Sequence, residues 1–237
     1  MTTIQGSIQK LLVNSNAMFE SLGYLSTNVA NMNTNGYKAQ NFETYLNVDG
    51  SIGGRLRTDY SGGALIRTGK ELNIGIEGPG FIPVTDKNGC IAYSRDGSLA
   101  VNSEGYLVSA DGWLIADGIK IPANYEKLKI QTDGTVSVLK TKGNEFEKLG
   151  KIPLVYFNNP EGLEKLEGNR VTPTEKSGEP TLLTEFVSIK QGMLEKSNVD
   201  VYTYVNEGLK TNASLIASTR LVKAFDTLYR EAINLRQ

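Results

Sequence analysis

The sequence predicts an α+β fold, with N- and C-terminal helices packed as a coiled coil and a central, mainly antiparallel β domain. Three observations predict it. An apolar stripe of helical period runs through residues 4–32, and a second helical pattern fills 199–235. The residues between them alternate apolar and polar in short runs, divided by Asp-Gly and Asn-Gly pairs. The expected division is an N-terminal helix in 1–36, an extended connector in 37–64, a β-rich domain in 65–190 and a C-terminal helix in 191–237.

The first stripe consists of Ile4, Ile8, Leu11, Ser15, Met18, Leu22, Leu25, Val29 and Met32, spaced alternately by four and three. That spacing is the seam of a helix lying along a partner helix. Such a helix gains most of its stability from burying its seam, so the seam demands a partner. The C-terminal pattern supplies one. Leu221, Phe225, Leu228, Ala232 and Leu235 form one stripe, and Leu215, Val222 and Tyr229 form an adjacent one. A helix with two apolar faces has room for the N-terminal helix on one and a neighbouring subunit on the other.

Between the helices, Gly50, Gly53, Gly54, Gly62 and Gly63 lie in a polar stretch that reads as a connector with a short hairpin at Asp49-Gly50. From Leu65 the period falls to two. Turn pairs at Asn88-Gly89, Asp96-Gly97, Glu104-Gly105, Asp111-Gly112, Asp117-Gly118 and Asp133-Gly134 cut the chain into strands of four to six residues. A hairpin is expected from Lys127–Ile130 and Val136–Leu139, and a further strand from Ile152–Phe157. Residues 158–184, with Pro160, Gly162, Gly168, Pro173, Gly178 and Pro180, read as an irregular surface excursion. Gly36 is placed to end the first helix in the left-handed conformation. Ser197, three residues before Asp200, resembles a capping box that starts the last helix.

Composition narrows the chemistry. The formal net charge of −1 gives no field to attract polyanions, so nucleic acid is a poor partner. The chain has no histidine and one cysteine, Cys90, which removes the commonest general base, any internal disulfide and any cysteine-based zinc site. No stretch reaches the ~20 consecutive apolar residues that span a bilayer. The N-terminus does not read as a cleavable secretion signal, because Gln5, Ser7, Gln9, Asn14 and Ser15 interrupt any apolar core.

No motif in the chain carries catalysis. Gly78-Pro79-Gly80 lacks the following helix and Lys-Ser or Lys-Thr pair of a phosphate loop, so it reads as a turn. The Asp-Gly pairs lack calcium-loop spacing. Glu77, Asp86 and Asp96 are the carboxylates a glycan hydrolase would need, but nothing in the sequence sets two of them across a cleft. Cys90 reads as a small strand residue. No catalytic residue, metal or cofactor is expected.

Several motifs together resemble the bacterial flagellar rod and hook protein family. Asn28, Ala30, Asn31, Thr34, Gly36, Tyr37 and Lys38 fit its "NN-x-AN-x-x-T-x-G-[FY]-K" signature, with Thr27 in place of the first asparagine. Leu72 to Phe81, including Gly78 and Gly80, resembles "L-D-x-A-I-x-G-x-G-F-F", with Ile82 replacing the last phenylalanine. Tyr93 to Leu99, including Arg95, Asp96 and Gly97, resembles "Y-T-R-D-G-x-F", with Ser94 replacing threonine. Gly105 to Val108 resembles "G-x-L-V", and Phe157 to Leu163 resembles "F-x-N-P-x-G-L". Gln191, Gly192, Leu194, Glu195, Ser197, Asn198, Val199 and Asp200 match "Q-G-x-L-E-x-S-N-V-D".

The resemblance implies a structural subunit of the basal-body rod, the axial drive shaft that carries torque from motor to hook. Terminal helices would pack into an inner core and β domains would form the outer layer. Its partners would be copies of itself, other rod and hook proteins and the flagellar type III export apparatus, with no nucleic acid and no membrane insertion. Its place would be the periplasm-spanning rod, reached without a cleaved signal. Hook proteins of the family usually carry an inserted domain, for which this chain has little room. Outside the family, the rival readings are a β-rich carbohydrate-binding module of the cell wall and a peptidoglycan hydrolase.

Overall fold

The structure, a computed structural model, describes residues 4–141, 145–184 and 188–234. It divides into two compact units. The first takes its residues from Met1–Met32, Ala39–Asp59 and Val199–Gln237, and the second from Asn33–Lys38 and Tyr60–Asn198.

The first unit holds α1 (Ile4–Ala30), the hairpin strands β1 (Gln40–Leu46) and β2 (Ile52–Thr58), and α2 (Val201–Asn234). Leu22, Leu25 and Val29 of α1 gather with Ala39, Val199 and Tyr204, while Met18 and Ser21 lie beside Lys210, Thr211 and Ser214. The two helices therefore run antiparallel. The line of α2 turned inward is Tyr204, Gly208, Thr211, Leu215, Ser218, Val222 and Phe225, again spaced by four and three and each buried or half-buried. This redraws the expected stripes. Leu215, Val222 and Phe225 share the inner line, whereas Leu221 and Leu228 face out at 51% and 58% exposure. The inner line includes glycine, threonine and serine, which a search for apolar residues passes over.

Residues 37–64 contain the hairpin expected at Asp49-Gly50, with strands of seven residues each. β1 and β2 pair antiparallel in register from Gln40 opposite Thr58 to Leu46 opposite Ile52. The hairpin rests on α1: Phe42 stacks on Tyr24 at 5.7 Å between ring centroids, and Asn14 Oδ1 accepts the Ile52 N–H at 2.8 Å.

The start of α2 is also displaced from expectation. Asp200 is the capping residue, not Ser197: its Oδ1 accepts the Tyr202 N–H and its Oδ2 the Thr203 hydroxyl. The Thr203 hydrogen bond, ahead of the backbone ones, holds the Asp200 carboxyl below its ordinary range. Residues 191–198 precede the helix and belong to the second unit.

The second unit is built of antiparallel strands. Its seven-stranded sheet runs, edge to edge, Glu164–Leu166, Arg170–Thr172, Ile91–Ser94, Ile82–Thr85, Leu114–Ile115, Leu107–Ser109, Leu99–Val101. A three-stranded sheet joins Tyr125–Ile130, Thr135–Lys140 and Phe146–Lys151. One core unites them through Ile82, Val84, Leu107, Ile115, Leu128, Val136, Val138 and Ile152. The expected hairpin thus gains a third strand. Val155–Tyr156 forms a short pair with Thr181–Leu182.

Two further expectations change here. The excursion at 158–184 contains the hairpin Glu164–Leu166 and Arg170–Thr172, which extends the large sheet by pairing Val171 with Tyr93. Its turn uses Gly168 and Asn169, both at positive φ, and its three-residue strands are too short to display a period. Cys90 is exposed in a turn, not within a strand; its N–H and that of Asn88 are accepted by Asp86 Oδ1.

Candidate functional site

In the first unit the N-terminal seam faces inward. Ile8, Leu11, Met18, Leu22 and Val29 are half-buried and Leu25 is buried. Met32 lies beyond the end of α1 and is 39% exposed. Ile4 belongs to α1, and Leu235 lies outside the described residues. Outward, α1 exposes Leu12, Val13 and Phe19, and α2 exposes Val205, Leu209, Ile216, Leu221, Leu228 and Ile233.

Asn28 of the first motif has a structural task in this unit. It is fully buried, donating through Nδ2 to the Gln40 carbonyl at 2.7 Å and accepting the Gln40 N–H at 2.9 Å. One amide side chain thereby satisfies both backbone groups of the residue that opens β1. Nearby, Asn31 closes the end of α1, its N–H and its Nδ2 both donating to the Thr27 carbonyl. Ala30 is exposed, and Val199 packs at the edge of the Leu25 cluster.

In the second unit, the remaining motif residues converge on three buried ions. Lys38 Nζ lies 2.6 Å from Glu195 Oε1, and Arg95 Nε lies 2.8 Å from Glu195 Oε2. Their side chains are 5%, 2% and 1% exposed for Lys38, Arg95 and Glu195. Burying charge is unfavourable unless every polar group finds a partner. Here they do. Lys38 also donates to the Ser61 carbonyl at 2.5 Å, and Glu195 Oε1 also accepts the Gly63 N–H at 2.8 Å. Arg95 Nη1 donates to the Gly80 carbonyl and Nη2 to the Gly78 carbonyl, at 2.8 and 3.0 Å.

The shell around the ions accounts for the other motif positions. Phe81 lies under the Arg95 guanidinium at 5.8 Å and packs edge-on against Tyr60 and Phe157. Asp96 Oδ1 accepts the Ser98 N–H, and the Gly97 carbonyl accepts the Ile74 N–H. Gly36 has φ +65 and donates its N–H to the Glu195 carbonyl at 2.8 Å. A Cβ there would stand 2.6 Å from the Arg95 carbonyl carbon and oxygen. Gly36 is thus left-handed as expected, but it seats the chain on Arg95 six residues beyond the end of α1 and caps no helix. Thr34 accepts the Tyr37 N–H through its carbonyl, closing the same turn.

At the other end of the chain, Gln191 Nε2 donates to the carbonyls of Glu71 and Leu128, and its Oε1 accepts the Ile130 N–H. Gly192, at φ +74, donates its N–H to the Asn73 carbonyl. Asn198 donates to the Ser61 carbonyl and hydroxyl. Ser197 is half-buried and precedes Asn198 in the same segment.

Glu195, Ser61, Gly63 and Lys165 escaped the sequence reading as site residues. Glu195 stood inside a quoted motif, which was the signal available. Lys165 had none. Its Nζ donates to the Lys38 carbonyl at 3.0 Å and sits 5.0 Å from the centre of the Tyr37 ring. Burial lowers its pKa from 10.5 to about 8.

The carboxylates considered for hydrolysis serve turns and surface pairs instead. Asp86 and Asp96 accept backbone N–H groups of their own turns, and Glu77 accepts the Ser188 hydroxyl beside Lys190. Among the described residues no three His, Cys, Asp or Glu side chains gather to hold a metal ion, and no helix is long and apolar enough to cross a membrane.

The flagellar hook protein FlgE/F/G D1 domain family matches residues 75–138. The flagellar basal-body rod protein FlgG of Buchnera aphidicola subsp. Schizaphis graminum is 29% identical over 91% of this chain and 94% of its own length. That of Caulobacter vibrioides is 28% identical over 90% and 92%. The chain is thus similar to flagellar basal-body rod proteins along about nine-tenths of its length. A more distant relative, the flagellar hook-basal body complex protein FlhP of Bacillus subtilis, is 24% identical over 90% of this chain. The matched stretch 75–138 contains Arg95 and its carbonyl cradle at Gly78 and Gly80. The other two ions come from outside it, Lys38 before and Glu195 after.

Proposed function

We propose that this chain is a member of the flagellar rod and hook protein family and a structural subunit of the basal-body rod, assembling helically with copies of itself and with other rod and hook proteins. The observation that carries the reading is the outer face of the helix pair. With the inner line of α2 turned to α1, Val205, Leu209, Ile216, Leu221, Leu228, Tyr229 and Ile233 remain exposed. An isolated soluble helix pair has no use for such a face, whereas a subunit whose helices pack side by side needs one. The end-to-end match to rod proteins agrees with this role.

In the finer picture, the helices pack in coiled-coil fashion to form the inner core of the shaft, and the β unit forms its outer layer. The assembled rod spans the periplasm and transmits torque to the hook. The chain reaches it through the flagellar type III export apparatus, as the family resemblance implies. It works as an assembly protein and not as an enzyme, a reading supported by the relatives' names as basal-body rod proteins.

The test is deletion of the gene in the encoding bacterium, followed by electron microscopy of isolated basal bodies and a motility assay. Loss of rod density and of swimming, restored by the intact gene, is the expected result. Complete rods and normal swimming without the chain would refute the proposal.

A further inference from the structure

We infer that the β unit is gated from its C-terminal end: Lys38 and Arg95 form a site that closes only when Glu195 docks, so the unit folds once residues 188–198 have arrived and not before. The connectivity carries the first half of this inference. The unit's opening strands, Leu65–Arg67 and Ile74–Ile76, take their ladder partners from its last ones, Met193–Glu195 and Ile189–Gln191. Residues 188–196 also close the intervening chain. The Ser188 carbonyl accepts the Glu77 N–H, Ile189 donates to the Thr132 carbonyl, and Lys196 donates to the Ala64 carbonyl. Gln191 pins Glu71, Leu128 and Ile130 through its side chain.

Charge carries the second half and makes closure all-or-none. Before residue 195 is present, native packing of 33–184 would bring an ammonium and a guanidinium into buried positions without the carboxylate both face. A buried charge without its counter-ion costs a large share of a domain's whole stability. The native arrangement is therefore unfavourable for a partial chain, and one side chain reverses the balance on arrival. Synthesis proceeds from the N-terminus, so folding of this unit waits until nearly the whole chain has been made.

Two measurements test the gate. In the first, ribosome-bound chains exposing residues up to 184, 191 or 198 are digested briefly and protection of the seven-stranded sheet is read. Protection is expected only at 198 in the native sequence. In a Lys38→Met/Arg95→Met background it is expected already at 191. Protection of the native sequence at 184 or 191 overturns the gate, and so does a double variant that still waits for 198, since strand loss alone then explains the delay. In the second, the full chain is refolded from urea. Glu195→Gln should slow refolding at least tenfold with little change in unfolding rate, because closure of the ions precedes the barrier. Faster unfolding with unchanged refolding places closure after the barrier and overturns the inference. Should Glu195→Gln not fold, Lys38→Met/Arg95→Met/Glu195→Leu replaces all three ions and must recover a folded unit; its failure also counts against the charge mechanism.

Discussion

Arg95 and Glu195 stand one hundred residues apart in sequence and 2.8 Å apart in the β unit, Nε to Oε2, with both side chains sealed from solvent. The guanidinium divides its remaining donors between two backbone carbonyls, and the carboxylate divides its oxygens between Arg95 and Lys38. No substrate reaches this group. Its effect is to fix three separated segments of chain in one geometry.

Removing the carboxylate should therefore cost more than removing a contact. Glu195→Gln leaves two buried cations without their anion, and the expected loss is ~3–5 kcal/mol. Arg95→Lys keeps the charge but cannot serve the carboxylate and both carbonyls from one fixed fork, with an expected loss of about 2 kcal/mol. Trp113 is the chain's one tryptophan and sits 4.2 Å from the Arg170 guanidinium. Its fluorescence in urea titrations reports the midpoint of this unit.

Lys165 gives the unit a pH dependence in the alkaline range. Its folded pKa, about 8, lies below its ordinary value of 10.5, because burial disfavours the ammonium. Below about pH 8 both folded and unfolded chains carry the proton and the cost of burying it is fully present. Between the two values the unfolded chain binds more protons, so stability rises with pH. The urea midpoint should increase from pH 7 to pH 9.5, and Lys165→Met should flatten that increase.

Gly36→Ala tests the seat of the motif turn. The substitution meets both a left-handed backbone and the Arg95 peptide group 2.6 Å from the new carbon. The conformational part alone costs ~1–2 kcal/mol, and the clash adds to it. The Trp113 transition should shift accordingly, while helix content at 222 nm, which comes from the other unit, should change little.

How much of this was legible beforehand follows from the length of each signal. The seam of α1 repeats over 27 residues and could be read position by position. The inner line of α2 was harder, because Gly208, Thr211 and Ser218 occupy it and carry no apolar mark. The strands at 164–166 and 170–172 are too short for any period to emerge. Glu195 was visible only as a letter in a motif. A carboxylate's burial depends on which distant cations reach it, and Lys38 lies 157 residues away.

The last prediction separates folding from assembly. Leu25 is buried against Ala39 and Tyr204, so Leu25→Asp places a carboxylate inside the first unit and should lower helix content in the isolated chain. Leu209 and Leu228 are 64% and 58% exposed, and aspartate at either should change the isolated chain's stability by no more than about 0.5 kcal/mol. In a rod, however, every copy would carry that charge into an apolar contact, and assembly should fail. Circular dichroism of the purified variants and electron microscopy of basal bodies distinguish the two effects. Cells with Leu209→Asp or Leu228→Asp should make a normally folded protein and lack rods. Normal rods in both would mean that the exposed face of α2 is not an assembly surface, and the proposed role would lose its main support.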